Sequence, residues 1–131
     1  MEPDHFRFWP ANLPRELPLP DRSLYANLEA TAARFPDKTA VFYYGTALSY
    51  RQFKRDVDAL AGYLQQRAGV KRGDRVLLFM QNSPQFMIAF YAILRADAMV
   101  VPVNPMNLTE ELRHYVTDSD AVVAITGQEL L

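Results

Sequence analysis

The sequence contains no cysteine among its 131 residues, and only five glycines and two histidines. Without cysteine there is no disulfide framework, no thiolate nucleophile, no iron–sulfur cluster and no cysteine-ligated zinc. The glycines, Gly45, Gly62, Gly69, Gly73 and Gly127, form neither G-x-G-x-x-G nor G-x-x-x-x-G-K-[ST]. A complete dinucleotide loop or phosphate-cradling loop is therefore excluded, because both need backbone amides that approach phosphate closely. One-sided charge is missing too: 14 Lys and Arg against 15 Asp and Glu leave −1, which supplies no field for a nucleic-acid backbone or anionic lipid. No nucleic-acid partner is expected. The acidic start, Met1-Glu2-Pro3-Asp4-His5, has no basic region followed by an apolar one, so no secretory signal is read there. The longest unbroken apolar run, Phe86 to Leu94, is about half of the roughly 20 residues that a membrane-spanning helix needs.

What remains is the composition of a globular domain, with half of the residues hydrophobic and 22% charged, and a length that fits one core. A reducing, cytoplasmic setting is expected. Prolines at 3, 10, 14, 18 and 20 mark residues 1–22 as an extended, irregular arm, since proline fixes φ and removes a donor. This arm is expected to lie in a surface groove, held by Phe6, Phe8 and Trp9. Residues 23–131 read as an α/β unit. Leu24, Leu28, Ala32 and Phe35 recur at helical spacing from Ser23 or Leu24 to about Arg34. Thr39 to Tyr44, a reversal at Gly45-Thr46 and Ala47 to Ser49 predict a hairpin. Ser49 and Gln52 have the spacing of a capping box, which starts a helix at Tyr50. Its apolar stripe runs through Phe53, Val57, Leu60, Ala61 and Leu64, and Gly69 is its expected stop.

Beyond Gly69 the pattern alternates. Strands are expected at Arg75 to Met80, Met99 to Pro102 and Ala121 to Thr126, with helices at Pro84 to Arg95 and Thr109 to Ser119. Alternation of this length predicts parallel βαβαβ units with right-handed crossovers. Ser83 is expected to cap the first of these helices with Pro84 at its first position, and Thr109 to cap the second ahead of Glu110 and Glu111.

No residue of the chain is assigned a catalytic, cofactor-binding or metal-binding role. Ser83 sits between strand and helix as a hydrolase nucleophile does, but its flanks lack G-x-S-x-G, and capping explains it. His5 and His114 lack partners at metal-ligand spacing. Glu110 and Glu111, like Asp118 and Asp120, are explained by helix ends rather than acid–base chemistry. The helix from Phe86 to Leu94 is apolar on nearly every side, which a buried helix requires. A chain this short supplies few elements to cover it, so a missing partner or further chain is expected. Gly127 to Leu131 reads as the start of another helix, which makes the C-terminus look like a cut.

Six segments, taken in order, carry a resemblance. They are Phe35-Pro36-Asp37-Lys38-Thr39-Ala40, Leu48-Ser49-Tyr50, Gly73-Asp74-Arg75-Val76, Leu94-Arg95-Ala96, Val101-Pro102-Val103-Asn104-Pro105 and Glu111-Leu112. From about Trp9 onward the chain resembles the adenylate-forming acyl-CoA synthetases. Trp9-Pro10, Leu13-Pro14, Tyr63-Leu64-Gln65-Gln66 and Glu111-Leu112-Arg113-His114 tilt the likeness toward the bacterial long-chain fatty acid CoA ligases. The resemblance departs at Asp97, where relatives have glycine, and this puts the packing of the helix-to-strand turn in question.

The resemblance implies that the chain is part of the large N-terminal domain of a two-step ligase, which uses ATP, magnesium and coenzyme A in its full-length form. It implies that the threonine-, serine- and glycine-rich phosphate loop and the catalytic lysine lie beyond residue 131, so that residues 1–131 alone are inactive. Expected partners are the remainder of the ligase and its fatty acid. Self-association of the isolated residues through apolar surface is expected, and peripheral membrane contact of the full-length protein stays open. Two alternatives stand: a binding or interaction module on the same scaffold, and a ligase for an aryl or medium-chain acid.

Overall fold

Local chemistry sets the order of elements in the computed structural model, which describes residues 3–130. Helix α1 spans Leu24–Arg34, strands β1 and β2 span Thr39–Tyr43 and Thr46–Ser49, and helix α2 spans Tyr50–Gln66. Strand β3 spans Arg75–Phe79, helix α3 Pro84–Arg95, strand β4 Met99–Val103, helix α4 Thr109–Ser119 and strand β5 Val123–Thr126.

The helix starts are built from side-chain oxygens. Ser23 Oγ accepts from Ala26 N at 3.1 Å and Ser83 Oγ from Phe86 N at 3.2 Å, with Pro84 in the first turn of α3. At α2 the capping box is complete: Ser49 Oγ accepts from Gln52 N at 3.3 Å and Gln52 Oε1 accepts from Ser49 N at 3.1 Å. Such a cap contributes about 1 kcal/mol. Helix α4 differs from expectation, because its cap is Leu108 rather than Thr109. Leucine has no acceptor, so only half of a box forms, with Glu111 Oε2 accepting from Leu108 N at 2.7 Å.

The hairpin is shifted by one residue from the expected reversal. Tyr43 pairs with Thr46, so Tyr44 and Gly45 form the loop, at φ 45° and 82°. Two positive φ values are what a type I′ loop requires. Gly45 adopts this freely, and Tyr44 adopts it at a steric cost. Strand ends also move: β3 stops at Phe79 rather than Met80, β4 continues through Val103, and β5 begins at Val123 rather than Ala121. After β5 the expected helix is a 3-10 turn over Gln128–Leu130, and Leu131 lies outside the described residues.

Strands β3, β4 and β5 form one parallel sheet in the order β4-β3-β5. In a strand alternate side chains face opposite ways, and here both faces are apolar. Val76 and Leu78 of β3 join a core with Phe53, Val57, Ala61 and Leu64 of α2 and Ala89, Ala92 and Ile93 of α3. Leu77 and Phe79 join a smaller cluster with Val103, flanked by Leu112 of α4. The crossovers α3 and α4 therefore pack on opposite faces of the sheet.

The apolar helix α3 finds most of its cover within this chain. Ala89, Ala92 and Ile93 are buried, Phe86, Ile88, Phe90, Tyr91 and Leu94 are partly covered, and of the run only Met87 is exposed. Its expected lack of cover is corrected, because α1, α2, β3 and β4 surround it. Exposed apolar side chains lie elsewhere: Phe42 and Tyr44 on the hairpin, Met106 and Leu108 before α4, and Val122 before β5.

The arm does not lie in a groove through Phe6, Phe8 and Trp9. Asp4–Phe8 form a 3-10 turn, and Phe6 is the only residue from Pro3 to Ser23 that is not exposed. Its aromatics pack on one another, Phe6 edge-on to Trp9 at 5.7 Å, while Trp9 Nε1 donates to the Pro14 carbonyl at 3.2 Å. Phe8 projects with 87% of its surface exposed.

At the amino edge of the sheet, Gly73 N donates to the Asp97 carbonyl at 2.8 Å and Met99 N to the Asp74 carbonyl at 2.7 Å. Asp97 stands at φ 59°, the left-handed conformation that suits glycine, and Asp is among the residues that enter it at modest cost. The turn closes: Ala96 and Ala98 on either side are buried. Arg75 reaches past β3, its Nε donating to the Ser119 carbonyl at 2.8 Å and its Nη2 to the Asp120 carbonyl at 3.3 Å.

Candidate functional site

The residues weighed as catalytic candidates stand apart. Ser83 is engaged as the cap of α3. His5 packs on Phe6 in the arm, and His114 is exposed on α4 beside Tyr115. Glu110 pairs with Arg113 at 3.6 Å one turn on, Glu111 is engaged with the Leu108 amide, and Asp120 pairs with Arg75 at 3.7 Å. Asp118 is exposed on α4. Neither histidine nor any of these acids lines a cavity with Ser83.

Two arrangements were not legible in the sequence. The first is a polar cluster that joins three helices. Tyr25 of α1 donates its hydroxyl to Asp58 Oδ1 of α2 at 2.6 Å, and Lys54 Nζ donates to Asp58 Oδ2 at 2.6 Å. Arg95 of α3 approaches Asp58 at 3.7 Å and lies over the Tyr25 ring at 5.0 Å, while Glu29 stands 3.8 Å from Lys54. Partial burial pushes the Asp58 carboxyl up, but the hydrogen bonds from Lys54 and Tyr25 together outweigh it and hold it below its ordinary value of 3.8. The hydrogen bond to Asp58 correspondingly raises Lys54 above its ordinary 10.5. The i,i+4 spacing of Lys54 and Asp58 was visible; the partner 33 residues away was not.

The second is a set of cavities at the carboxyl edge of the sheet. Phe79 is level with Val103 and with Thr126, so three loops leave this edge together. Because α3 and α4 depart over opposite faces, the chain parts between β3 and β4 and leaves a crevice, the place where open α/β sheets bind ligands. This crevice has a volume of about 280 Å³ and is lined by Met80, Asn82, Phe86 and, from the β4 side, Val103, Asn104 and Pro105. A larger cavity of about 550 Å³ opens across the ends of β3 and β5, between Gln81, Gln85, Gln128 and Glu129. Met80 lines both. A third, of about 440 Å³, lies between Val41 and Phe42 of the hairpin and Pro84 and Met87 of α3.

These linings suit binding rather than bond-breaking. For magnesium, no three His, Asp or Glu side chains converge among the described residues. For a nucleotide triphosphate, the β3–α3 turn is Met80-Gln81-Asn82-Ser83, with neither glycine nor cation to hold phosphate. The residues present fit neither group, and no chemical step is assigned to them.

A parallel sheet with a helix on each face and a crevice at its carboxyl edge defines an open α/β domain, the architecture whose ligands sit outside the carboxyl ends of its strands. The family model described as AMP-binding enzyme matches residues 28–131, and the chain belongs to that family. It is 41% identical over 118 residues to a long-chain-fatty-acid CoA ligase of Bacillus subtilis, covering 90% of this chain and 21% of that protein. To a long-chain-fatty-acid CoA ligase of Yersinia pestis it is 39% identical over 127 residues, covering 95% and 22%. Its fold matches the crystal structure of a long-chain-fatty-acid CoA ligase, so described as a putative one, from Rhodopseudomonas palustris, with a TM-score of 0.77 and 30% identity over 83% of this chain and 28% of that one. The anthranilate CoA ligase AuaEII in complex with anthranoyl-AMP gives 0.76 and 26% identity, over 80% and 20%. The chain thus spans about a fifth of the length of the curated relatives it matches. Among the described residues no helix is long and apolar enough to cross a membrane.

Proposed function

We propose that these residues form the N-terminal part of an ATP-dependent long-chain fatty acid CoA ligase. The observation that carries this reading is the identity of 39–42% to long-chain-fatty-acid CoA ligases from several bacteria, over about nine tenths of the chain. In the reaction so proposed, a fatty acid carboxylate oxygen attacks the α-phosphorus of ATP and pyrophosphate leaves. The thiol of coenzyme A then attacks the acyl carbonyl, and AMP leaves with the electron pair of the broken C–O bond. Magnesium, held by groups outside these residues, would offset the phosphate charge of the first step. Residues 23–131 are an incomplete share of the N-terminal domain and residues 1–22 are an appended arm. The chain supplies scaffold, the rest of the ligase supplies the phosphate-binding and catalytic groups, and the reaction proceeds in the cytoplasm. Taken alone, residues 1–131 self-associate through apolar surface such as Phe42, Tyr44 and Val122, which are exposed.

The test reads the native gene past the codon for Leu131 and assays the protein it encodes for pyrophosphate release and thioester formation. Acids of long-chain, medium-chain and aryl type are offered with ATP, magnesium and coenzyme A. Long-chain acids are expected to turn over fastest, with no turnover by residues 1–131 alone. A frame that stops at Leu131 would overturn the ligase reading, and preference for an aryl acid would overturn the substrate.

A further inference from the structure

One face of the hairpin carries an arrangement outside the crevice between β3 and β4. Val41 pairs with Leu48 and Tyr43 with Thr46, so these four side chains share one face of the two-stranded sheet. With Asp56 of α2 and with Pro84 and Ile88 of α3 they line a cavity of about 390 Å³, which has no lining residue in common with the crevice. Two of its walls are aromatic. The left-handed backbone of Tyr44, at φ 45°, sets its ring edge-on to Tyr43, with centroids 4.6 Å apart and planes at 85°. Two rings at a right angle make a corner, and the faces of aromatic rings attract cations. Asp56 is the one charged residue of the lining. Its Oδ1 accepts from Arg55 Nε at 3.1 Å, but Arg55 is exposed and outside the lining, and such a surface pair contributes little. An anion here would meet Asp56, and a neutral hydrocarbon would desolvate that carboxylate without compensation. A metal ion would find one carboxylate in place of the several oxygens it requires. The complementary group is a compact cation with an apolar skin, which gives charge to the carboxylate and rings, and methyl groups to Val41, Leu48 and Ile88.

We propose that this cavity binds an organic cation of the trimethylammonium type, seated in the corner of Tyr43 and Tyr44 with Asp56 as its counter-charge. Tyr44 is 90% exposed, so the corner is open to solvent on that side and a ligand enters there. Free choline and a phosphatidylcholine headgroup present the same group, and the test separates them. The inference stands on the hairpin cavity and is independent of the ligase reading, because it is tested by binding without turnover.

The experiment titrates the full ¹⁵N-labelled chain with tetramethylammonium, with choline, with phosphatidylcholine vesicles and with 3,3-dimethylbutan-1-ol, which has the shape of choline without its charge. The amide signals of Tyr43, Tyr44 and Asp56 are expected to shift and saturate at millimolar tetramethylammonium or choline. The neutral alcohol should bind about fivefold more weakly, the scale of a partly exposed cation–π contact. Asp56→Asn should weaken choline about threefold, the scale of an exposed ion pair, and flatten the dependence of its binding on salt. Tyr44→Asn, which suits the positive φ of the loop, should weaken choline by a similar factor, whereas Tyr44→Phe should keep its affinity. Saturation by vesicles at a lower headgroup concentration than by choline assigns the lipid as carrier, and the reverse assigns a free molecule. Absence of saturable shifts at these three residues overturns the proposal. So does equal binding of the neutral alcohol, unchanged affinity in Asp56→Asn, or a loss in Tyr44→Phe as large as in Tyr44→Asn. None of these results bears on thioester formation by a full-length ligase.

Discussion

On one face of β3, Val76 and Leu78 meet two helices, α2 and α3, and become inaccessible to water; on the other, Leu77 and Phe79 meet Val103 and the flank of α4. The difference lies in the helices. Helix α3 buries Ala89, Ala92 and Ile93, whereas α4 buries no residue and offers only Leu112 to its cluster. An apolar residue repeated every third or fourth position makes a stripe that a sheet can cover; α4 has such a stripe in Leu112, Tyr115 and Val116, but Tyr115 and Val116 stay exposed and only Leu112 reaches the sheet. The two crossovers share a topology and differ in how far each is held by tertiary burial rather than by its own backbone bonds.

The largest expected effect comes from cutting into each face in turn. Ile93→Ala removes a side chain that is wholly buried and should cost about 3 kcal/mol in chemical denaturation, from lost transfer energy and the cavity left behind. Leu112→Ala, at a half-exposed site, should cost about 1 kcal/mol or less. Equal losses would break the comparison. Amide exchange would sharpen it, with α4 expected to open well before α3.

Acid should act on the better-sealed side. Asp58 has its carboxyl held below its ordinary 3.8, so its contribution to stability is complete above that value and is lost as the pH falls through its folded value. Lys54, raised above 10.5, contributes fully below that value and loses its contribution as the pH rises past it. Thermal melts from roughly pH 5 down to pH 3 should therefore fall more steeply for the wild type than for Asp58→Asn. Parallel curves would show that the cluster joining α1, α2 and α3 contributes nothing measurable.

The smallest effect is expected outside both faces. Tyr44→Asn converts the loop to Asn-Gly, the pair that best tolerates two positive φ values. It should stabilise by about 0.5 kcal/mol, since relief of the left-handed tyrosine is partly offset by losing its edge-on contact with Tyr43 at 4.6 Å. Destabilisation in a urea melt would show that this contact outweighs the strain.

Legibility followed the same divide between local and distant causes. The start of α3 is readable because Ser83 and Pro84 mark a helix start by their own chemistry, and the box at Ser49 and Gln52 is readable for the same reason. At α4 the polar Thr109 reads as the cap, but Leu108, which has no side-chain acceptor, takes the position through Glu111. The hairpin loop lies one residue before the pattern's reversal because it places a bulky tyrosine, Tyr44, at positive φ, against propensity. What the arm touches, where Tyr25 finds Asp58, and how the β3 and β4 loops part to leave a crevice depend on contacts across the fold. No local pattern encodes them.

Strand β3 carries one further consequence. A strand with one oily face and one polar face announces its own alignment, because sliding by one residue would turn oil to water. Here Val76 and Leu78 could trade places with Leu77 and Phe79 and still meet hydrocarbon on both sides, so hydrophobicity says little about which rung pairs with which. The alignment must be written at the end of the ladder. Arg75 writes it: its guanidinium reaches the last carbonyls of α4, at Ser119 and Asp120, where a cation is favoured by the exposed carbonyl dipoles. This charged residue at the rim, together with the Gly73–Asp97 and Met99–Asp74 bonds toward β4, keys an otherwise slippery strand into its place.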